Sequence, residues 1–401
     1  MKKVLFLSYY FPPRNRISSY RVGGFCQHLI KFDWEPTVIC EDWPVGAPDY
    51  DESLLDGIEN LDVHRITSYG PKGIFRFLVR NVYPWIMPEK TPYNWWRLAR
   101  KKALELCSKE QIDAIVASHD PLATLQIALE LSSKFKIPWI ADLRDSWNVQ
   151  TLSSPRKQRI IAHYEKEFCN RANAVVTVSD EIAQVMKKKI SKDIRVVSNG
   201  FDKIEKTPFM NIKPNIFTIL YAGSYAKNQK DPRLFFRALN HCVSEGKIPR
   251  DNIELCFLGP SIESFYPDHL KELGSVVVRF KKRIIRKKAL AYMENSSLLW
   301  VISHPHEKGV LTGKIFDYLA AGRPIIAAPC DNGEIKKLLE QTQSGFSFSK
   351  EEDIVEKLCE LFALWKKDKE FSVNFNQSEI NKHSRVEKTR EFSKILNEVV
   401  N

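Results

Sequence analysis

Thr312-Gly313-Lys314-Ile315-Phe316-Asp317-Tyr318-Leu319-Ala320-Ala321-Gly322-Arg323-Pro324-Ile325-Ile326 decides how the rest of the chain is read. Thr312 is a good N-cap, which puts Gly313 and Lys314 in the first turn of a helix. Such a turn carries free backbone N–H groups at the positive end of the helix dipole, which suits phosphate, and Lys314 adds a cation there. Asp317 follows Lys314 by three residues and Gly313 by four, so it stands on the same face one turn deeper, where a carboxylate suits ribose hydroxyls. Gly322 stops the helix, and Pro324 to Ala328 reads as a buried strand. A plainer alternative stands beside this one: a capped surface helix whose Lys314 and Asp317 pair with each other.

Outward from that helix and strand, strand-like and helix-like segments alternate almost throughout, the mark of parallel α/β layers. In the first half the strands fall near 3–8, 36–40, 61–66, 112–117, 137–142, 173–178 and 194–198. Helices are expected near 19–32, 95–108, 121–135, 155–172 and 179–189. Asn199-Gly200-Phe201-Asp202 breaks the pattern, and strands resume at 216–222, 254–258, 276–280, 298–302 and 324–328. The expected fold class is α/β with two Rossmann-like, doubly wound domains, residues 1–205 and 206–378. A terminal helix over 379–401 has an apolar face of Val386, Phe392, Ile395, Leu396 and Val399.

With 401 residues, the chain is long enough for each domain to bury its own core, and 43% hydrophobic content is globular. No stretch approaches the ~18 apolar residues needed to span a bilayer. Met1-Lys2-Lys3 followed by Val4 to Leu7 faintly mimics a secretory signal, yet the run ends at Pro12-Pro13-Arg14 with no cleavage site and reads as a first strand. Eight cysteines without a Cys-x-x-Cys pair, Cys40 and Cys256 among them in apolar strands, point to reduced core thiols in a cytoplasmic protein. The net charge of +12, from 61 basic and 49 acidic residues, suits nucleic acid, anionic lipid or phosphorylated substrates. No nucleic-acid module surrounds the densest run, Arg279 to Lys288, whose charges read mostly as a solvated helix face, so nucleic acid is not an expected partner.

Taken together these segments resemble the family-4-type glycosyltransferases of the GT-B fold that serve bacterial surface-polysaccharide assembly. Lys314 to Pro324 resembles that family's nucleotide-sugar helix, Lys-x-x-Glu-Tyr-x-Ala-x-Gly-x-Pro, with Asp317 in the place of the Glu. Pro138 to Trp147 resembles its Asp-x-Arg-Asp-x-Trp stretch, while Asn173 to Ser179 and Val196 to Asp202 match it in structural segments. The resemblance implies two domains facing a cleft, an acceptor-side domain followed by a nucleotide-sugar domain, with the terminal helix crossing back to the first. It implies transfer of a sugar from a nucleoside diphosphate, uridine-linked by preference, to a glycan or lipid-linked acceptor with retention of configuration. A sugar-nucleotide 2-epimerase of the same architecture and a catalytically silent GT-B-like partner protein are the alternatives. No cofactor and no metal are expected.

Site residues follow from the same resemblance. Gly223 ends a strand in a turn, and Ser224 stands where the family has an Arg on the donor diphosphate, which leaves Lys230 or Lys227 for that role or for a plain surface position near a helix start. Arg283 matches the loop that cradles the base. Gly309 replaces the first Glu of the family's Glu-x7-Glu pair, so Glu307, or backbone amides near Gly309 and Val310, would take the donor sugar. His304-Pro305-His306-Glu307 is too tight for a helical metal pair, and Asp49-Tyr50-Asp51 lacks the context of an Asp-x-Asp metal site. His119 would stand against the donor sugar or else be a helix-capping loop histidine. Asp142, Arg144 and Asp145 either lock a loop by ion pairing or line the acceptor side, and Arg14, Arg16 and Arg21 could meet an acceptor phosphate. The aromatic and basic stretch Phe75 to Pro88, followed by Tyr93, Trp95 and Trp96, suits either core packing or an anionic membrane surface on the inner face of the cell.

Overall fold

The computed structural model describes residues 1–67, 93–144, 155–203, 215–225, 230–303, 311, 313–330, 332–368 and 374–401. The chain divides into two units, Met1–Asn199 with Arg385–Asn401, and Gly200–Ser384.

In the first unit, β1 (Lys2–Ser8), β2 (Trp34–Glu41), β3 (Asp62–Ile66), β4 (Ala114–His119), β5 (Trp139–Leu143), β6 (Ala174–Thr177) and β7 (Ile194–Val196) form one parallel sheet. Its order is β3-β2-β1-β4-β5-β6-β7. Val4 to Leu7 and Ala114 to Ala117 are continuous apolar runs with no more than 1% exposure, as strands covered on both faces must be. Chain order reverses between β1 and β4, so the loops after these two strands diverge and leave a crevice at the carboxyl edge.

The helix Ile17–Leu29 covers one face and carries the Gly23-Gly24 pair. A Cβ at Gly23 would come within 2.9 Å of Pro12 Cγ, and one at Gly24 within 2.7 Å of Arg385 Cδ. These glycines therefore serve close packing. The terminal helix Arg385–Val400 lies against Ile17–Leu29, with Phe392 stacked on Phe25 at 4.5 Å and Asn397 Oδ1 accepting from Trp34 Nε1 at 3.1 Å. One continuous helix over 380–400 was the expectation. Instead Gln377–Asn381, capped by Asn376, is a separate short helix of the second unit, and the chain turns at 382–384.

The second unit holds β8 (Phe217–Ala222), β9 (Ile253–Leu258), β10 (Val277–Lys281), β11 (Leu298–Val301), β12 (Ile325–Ala327) and β13 (Gly345–Ser347). They pair in parallel in the order β10-β9-β8-β11-β12-β13, with a second reversal between β8 and β11. β13 has no counterpart in the sequence reading. It is a three-residue edge strand whose Gly345 is required by crowding, since a Cβ there would fall 2.1 Å from Ile325 O. The run Arg279 to Lys288 is not a single helix face. Arg279, Phe280 and Lys281 belong to β10, and only Arg286 onward is helical, in Arg286–Asn295. Behind the sheet, Phe235 stacks on Trp300 at 4.3 Å, and the helices Arg233–Ser244 and Glu351–Asp368 pack together.

Candidate functional site

At the carboxyl edge of the second sheet, the turn after β8 is built for close approach. Gly223 has φ +97°, its N–H donates to Leu258 O at 2.9 Å, and a Cβ on it would meet Lys314 Cε at 3.4 Å and Nζ at 3.5 Å. The helix Gly313–Ala321 is fastened over this turn by Tyr318. Its hydroxyl accepts from Ala222 N at 2.9 Å and donates to Trp300 O at 3.2 Å, so one buried side chain ties the helix to both strands of the reversal. That fixes where the first turn, and with it Lys314, must lie.

Lys314 inverts the usual habit of lysine, which buries its stem and keeps its ammonium wet. Here the residue as a whole is partly exposed, while Nζ is sealed from solvent, has no hydrogen-bond partner among the described residues and sits 3.9 Å from the centre of the Tyr221 ring. Lys230, only 8% exposed, reaches the same tyrosine at its hydroxyl, with Nζ donating to Tyr221 Oη at 3.4 Å. Tyr221 in turn donates to Ser224 O at 3.0 Å, and Tyr225 Oη donates to Lys230 O at 3.0 Å. Burial, with the Lys230 charge as a lesser cause, holds the Lys314 ammonium well below the ordinary lysine range, and burial brings Lys230 down to about 8. Neither lysine forms an ion pair among the described residues. An anion with several oxygens is the natural complement, because it supplies a negative partner to both lysines and meets the amide end of the helix.

Asp317 does not pair with Lys314, which rules out the plain alternative of a Lys314–Asp317 surface pair. Its carboxylate is 8% exposed and held from both oxygens by Arg286, Nη1 to Oδ2 at 2.9 Å and Nη2 to Oδ1 at 2.5 Å. A ribose would therefore meet an ion pair in which Asp317 is already engaged. Gly223 and Ser224 lie exposed at the turn beside the lysines, while Arg283 is exposed in the loop after β10. Lys227, Glu307, Gly309, Val310 and Thr312, together with the His304 to Glu307 run, lie outside the described residues.

The carboxyl edge of the first sheet is also cationic, but there every arginine is matched. Arg21 and Asp142, 3% and 1% exposed, form a buried fork with Nη2 to Oδ1 at 2.8 Å; Arg21 Nη1 also donates to Val197 O at 2.8 Å, and Ser118 Oγ donates to Asp142 Oδ2 at 3.2 Å. Asp142 thus ties Arg21 and Ser118 together at the strand ends, the ion-pairing alternative of the sequence reading. Arg14 bonds Glu41 Oε2 at 2.8 Å and lies 3.8 Å from the Trp43 ring centre. Glu41 also accepts from Tyr9 Oη at 2.5 Å. Arg16 pairs with Asp49 at 2.8 Å on the surface. His119, 7% exposed, ends β4; its carbonyl accepts from Arg144 Nε at 2.9 Å and Nη2 at 2.6 Å, and Arg144 also reaches Asp120 Oδ1 at 3.2 Å. Asp145 and the stretch Phe75 to Pro88 lie outside the described residues, while Trp95 is fully buried in the core.

Tyr221, Tyr318 and Arg286 escaped the sequence reading. Tyr221 reads as one more apolar strand residue, and the pairing of Arg286 with Asp317 joins positions 31 apart that share no pattern. The tyrosine at 318 was visible as a motif letter, but nothing local shows that its hydroxyl bridges two strands. No cluster of His, Cys, Asp or Glu fit for a metal occurs among the described residues. All eight cysteines are free thiols and seven are buried. No helix among the described residues is long and apolar enough to cross a membrane.

Two family models match the chain: Glycosyltransferase Family 4 over residues 19–203 and Glycosyl transferases group 1 over residues 216–363. Among solved structures, HepE of Anabaena in complex with UDP and glucose superposes with a TM-score of 0.63 at 16% identity, covering 99% of this chain and 100% of that one. A glycosyltransferase from Rickettsia africae superposes with a TM-score of 0.63 at 14% identity, covering 100% of this chain and 99% of that one. A putative UDP-N-acetylglucosamine 2-epimerase from Listeria monocytogenes follows with a TM-score of 0.57 at 12% identity, covering 98% and 95%. No curated protein matches the chain in sequence.

Proposed function

Because this chain belongs to the family-4-type glycosyltransferases of the GT-B fold, we propose that it moves a sugar from a uridine diphosphate sugar to a glycan or lipid-linked acceptor, with retention, in the assembly of a cell-surface polysaccharide. The observation that carries this reading is the pair of buried, unneutralised lysines, Lys314 and Lys230, set at the β8/β11 reversal beside a helix N-terminus. Charge grows on the leaving diphosphate as the glycosidic bond breaks, and preorganised cations stabilise that charge more in the transition state than in the ground state. Two ammonium groups and the first-turn amides fill the place that a divalent ion takes in other transferases, so the reaction is proposed to run without metal. The Asp317–Arg286 pair would border the ribose, its outer lone pairs open to hydroxyl groups. His119 keeps the role the resemblance gives it, positioning the sugar, with Arg144 fixing its backbone. The protein is proposed to work in the cytoplasm at the inner face of the membrane, where a lipid-linked acceptor would be met.

The test is to incubate purified protein, in the presence of a chelator, with a panel of uridine diphosphate sugars and glycan or lipid-linked acceptors, and to follow both sugar and nucleotide. Acceptor-dependent release of uridine diphosphate with a lengthened glycan is the expected result. A change in the sugar of the intact nucleotide without an acceptor would establish an epimerase instead, and no turnover of any donor would leave a silent partner protein.

A further inference from the structure

We propose that the nucleotide site of the second unit takes up a proton when it takes up a diphosphate, because two lysine amino groups are brought together there on one tyrosine side chain. This rests on the reading of Lys314 and Lys230 as the diphosphate site.

The geometry is that of two lysine amino groups meeting one tyrosine, one over its ring and one at its hydroxyl, with no anion on either among the described residues. Lys314 Nζ lies 3.9 Å from the Tyr221 ring centre and Lys230 Nζ 3.4 Å from that ring's hydroxyl, so both charges fall within one side chain of each other. Among the described residues, the groups that face them from the surrounding elements supply no compensating negative charge. Tyr221 on β8, Tyr225 in the following loop and Tyr318 on the Lys314 helix are all pushed upward by burial and stay neutral through the physiological range. Asp317 is committed to Arg286, whose helix packs alongside. Asp231, next to Lys230, is held by Arg233 with Nη2 to Oδ2 at 2.6 Å. Lys281 at the end of β10 adds only a further cation, 5.2 Å from the Tyr292 ring centre. Two like charges in a dry site cannot both be kept at low cost, and burial brings Lys230 down to about 8 and holds Lys314 well below the ordinary lysine range.

An incoming diphosphate reverses every one of these terms. It brings acceptors to both ammonium groups and a negative field that favours full protonation, so the pair must draw a proton from solvent on binding. The site then prefers ligands with enough negative charge to hold both lysines protonated, a nucleoside diphosphate over a monophosphate.

Calorimetric titration with uridine diphosphate at about pH 8, in two buffers of different ionisation enthalpy, measures the uptake directly. At that pH the terminal phosphate, with its second pKa near ~6, is already deprotonated and contributes no proton. The expected result is a binding enthalpy that depends on the buffer with the sign of proton uptake, and an affinity that falls by up to about tenfold per pH unit above pH 8. Lys230→Arg should bind uridine diphosphate with smaller uptake and a flatter pH profile, because a guanidinium does not titrate there. Binding with a buffer-independent enthalpy in the wild-type protein would overturn the inference and leave the donor site standing. Absence of uridine diphosphate binding at any pH would overturn both.

Discussion

The two sheet edges carry the same kind of residue and use it in opposite ways. At the β1/β4 reversal, Arg21 is forked onto Asp142, Arg14 bonds Glu41, and Arg144 bonds the His119 carbonyl and Asp120, so each guanidinium has an acceptor within its own unit. At the β8/β11 reversal, Lys314 and Lys230 are buried without a carboxylate among the described residues. A neutralised cation holds a fold together, whereas an unneutralised one raises the energy of the empty site and waits for a ligand. Similar topology thus gives one edge whose cations are paired and one whose two lysines have no carboxylate among the described residues.

The sharpest way to break this contrast is to remove a cation from each edge and compare. Arg21→Met should destabilise the first unit by about 3–5 kcal/mol, since it leaves the Asp142 carboxylate buried and unpaired, and equilibrium denaturation would measure it. A loss below about 1 kcal/mol would mean that the pair holds nothing. Lys314→Met should act the other way round: uridine diphosphate affinity falls at least about tenfold, for the loss of roughly 1.5–3 kcal/mol of charge-assisted bonding, while the ligand-free protein is as stable as before or more so. A variant that binds normally but unfolds early would put Lys314 among the structural cations.

The pH dependence sharpens the same point. Lys230 has a folded value of about 8 against an ordinary 10.5, so between these limits the unfolded chain binds more protons and stability rises with pH. The second unit without ligand should therefore melt at higher temperature at pH 10 than at about pH 8, with no further change from this group below it, and Lys230→Met should flatten the rise. Scanning calorimetry across that range checks it. The smallest effect is expected from Arg16→Ala, whose pair with Asp49 stands at the surface with the arginine side chain 53% exposed. A change within about 1 kcal/mol of stability is expected.

Most of the fold was legible because ten of the thirteen strands are runs of four to eight residues, mostly apolar and punctuated by Gly, Pro and Asn, and such runs announce themselves. β13 was not, because Gly345-Phe346-Ser347 offers one strand-forming side chain, whereas the equally short β7 and β12 lie in the longer, mostly apolar runs Ile194 to Val197 and Ile325 to Ala328. The site was legible where it is local: Lys314 in a helix first turn and Gly223 after a strand both follow from neighbours in sequence. What pairs with what was not. Asp142 and Asp317 each look like available carboxylates until Arg21 and Arg286 arrive from 121 and 31 residues away. Charge state in a folded protein is a property of partners, and partners come from topology.

The helix Arg385–Val400 has a consequence for how the chain is made. Its Phe392 and Leu396 complete the core over Phe6, Val22 and Phe25, yet the ribosome delivers them only after the whole second unit has emerged. Until then the first unit waits with an uncovered apolar face, so it finishes folding last although it is synthesised first. A fragment of residues 1–199 should accordingly aggregate, and a circularly permuted chain that begins with residues 385–401 should let the first unit fold as it leaves the ribosome.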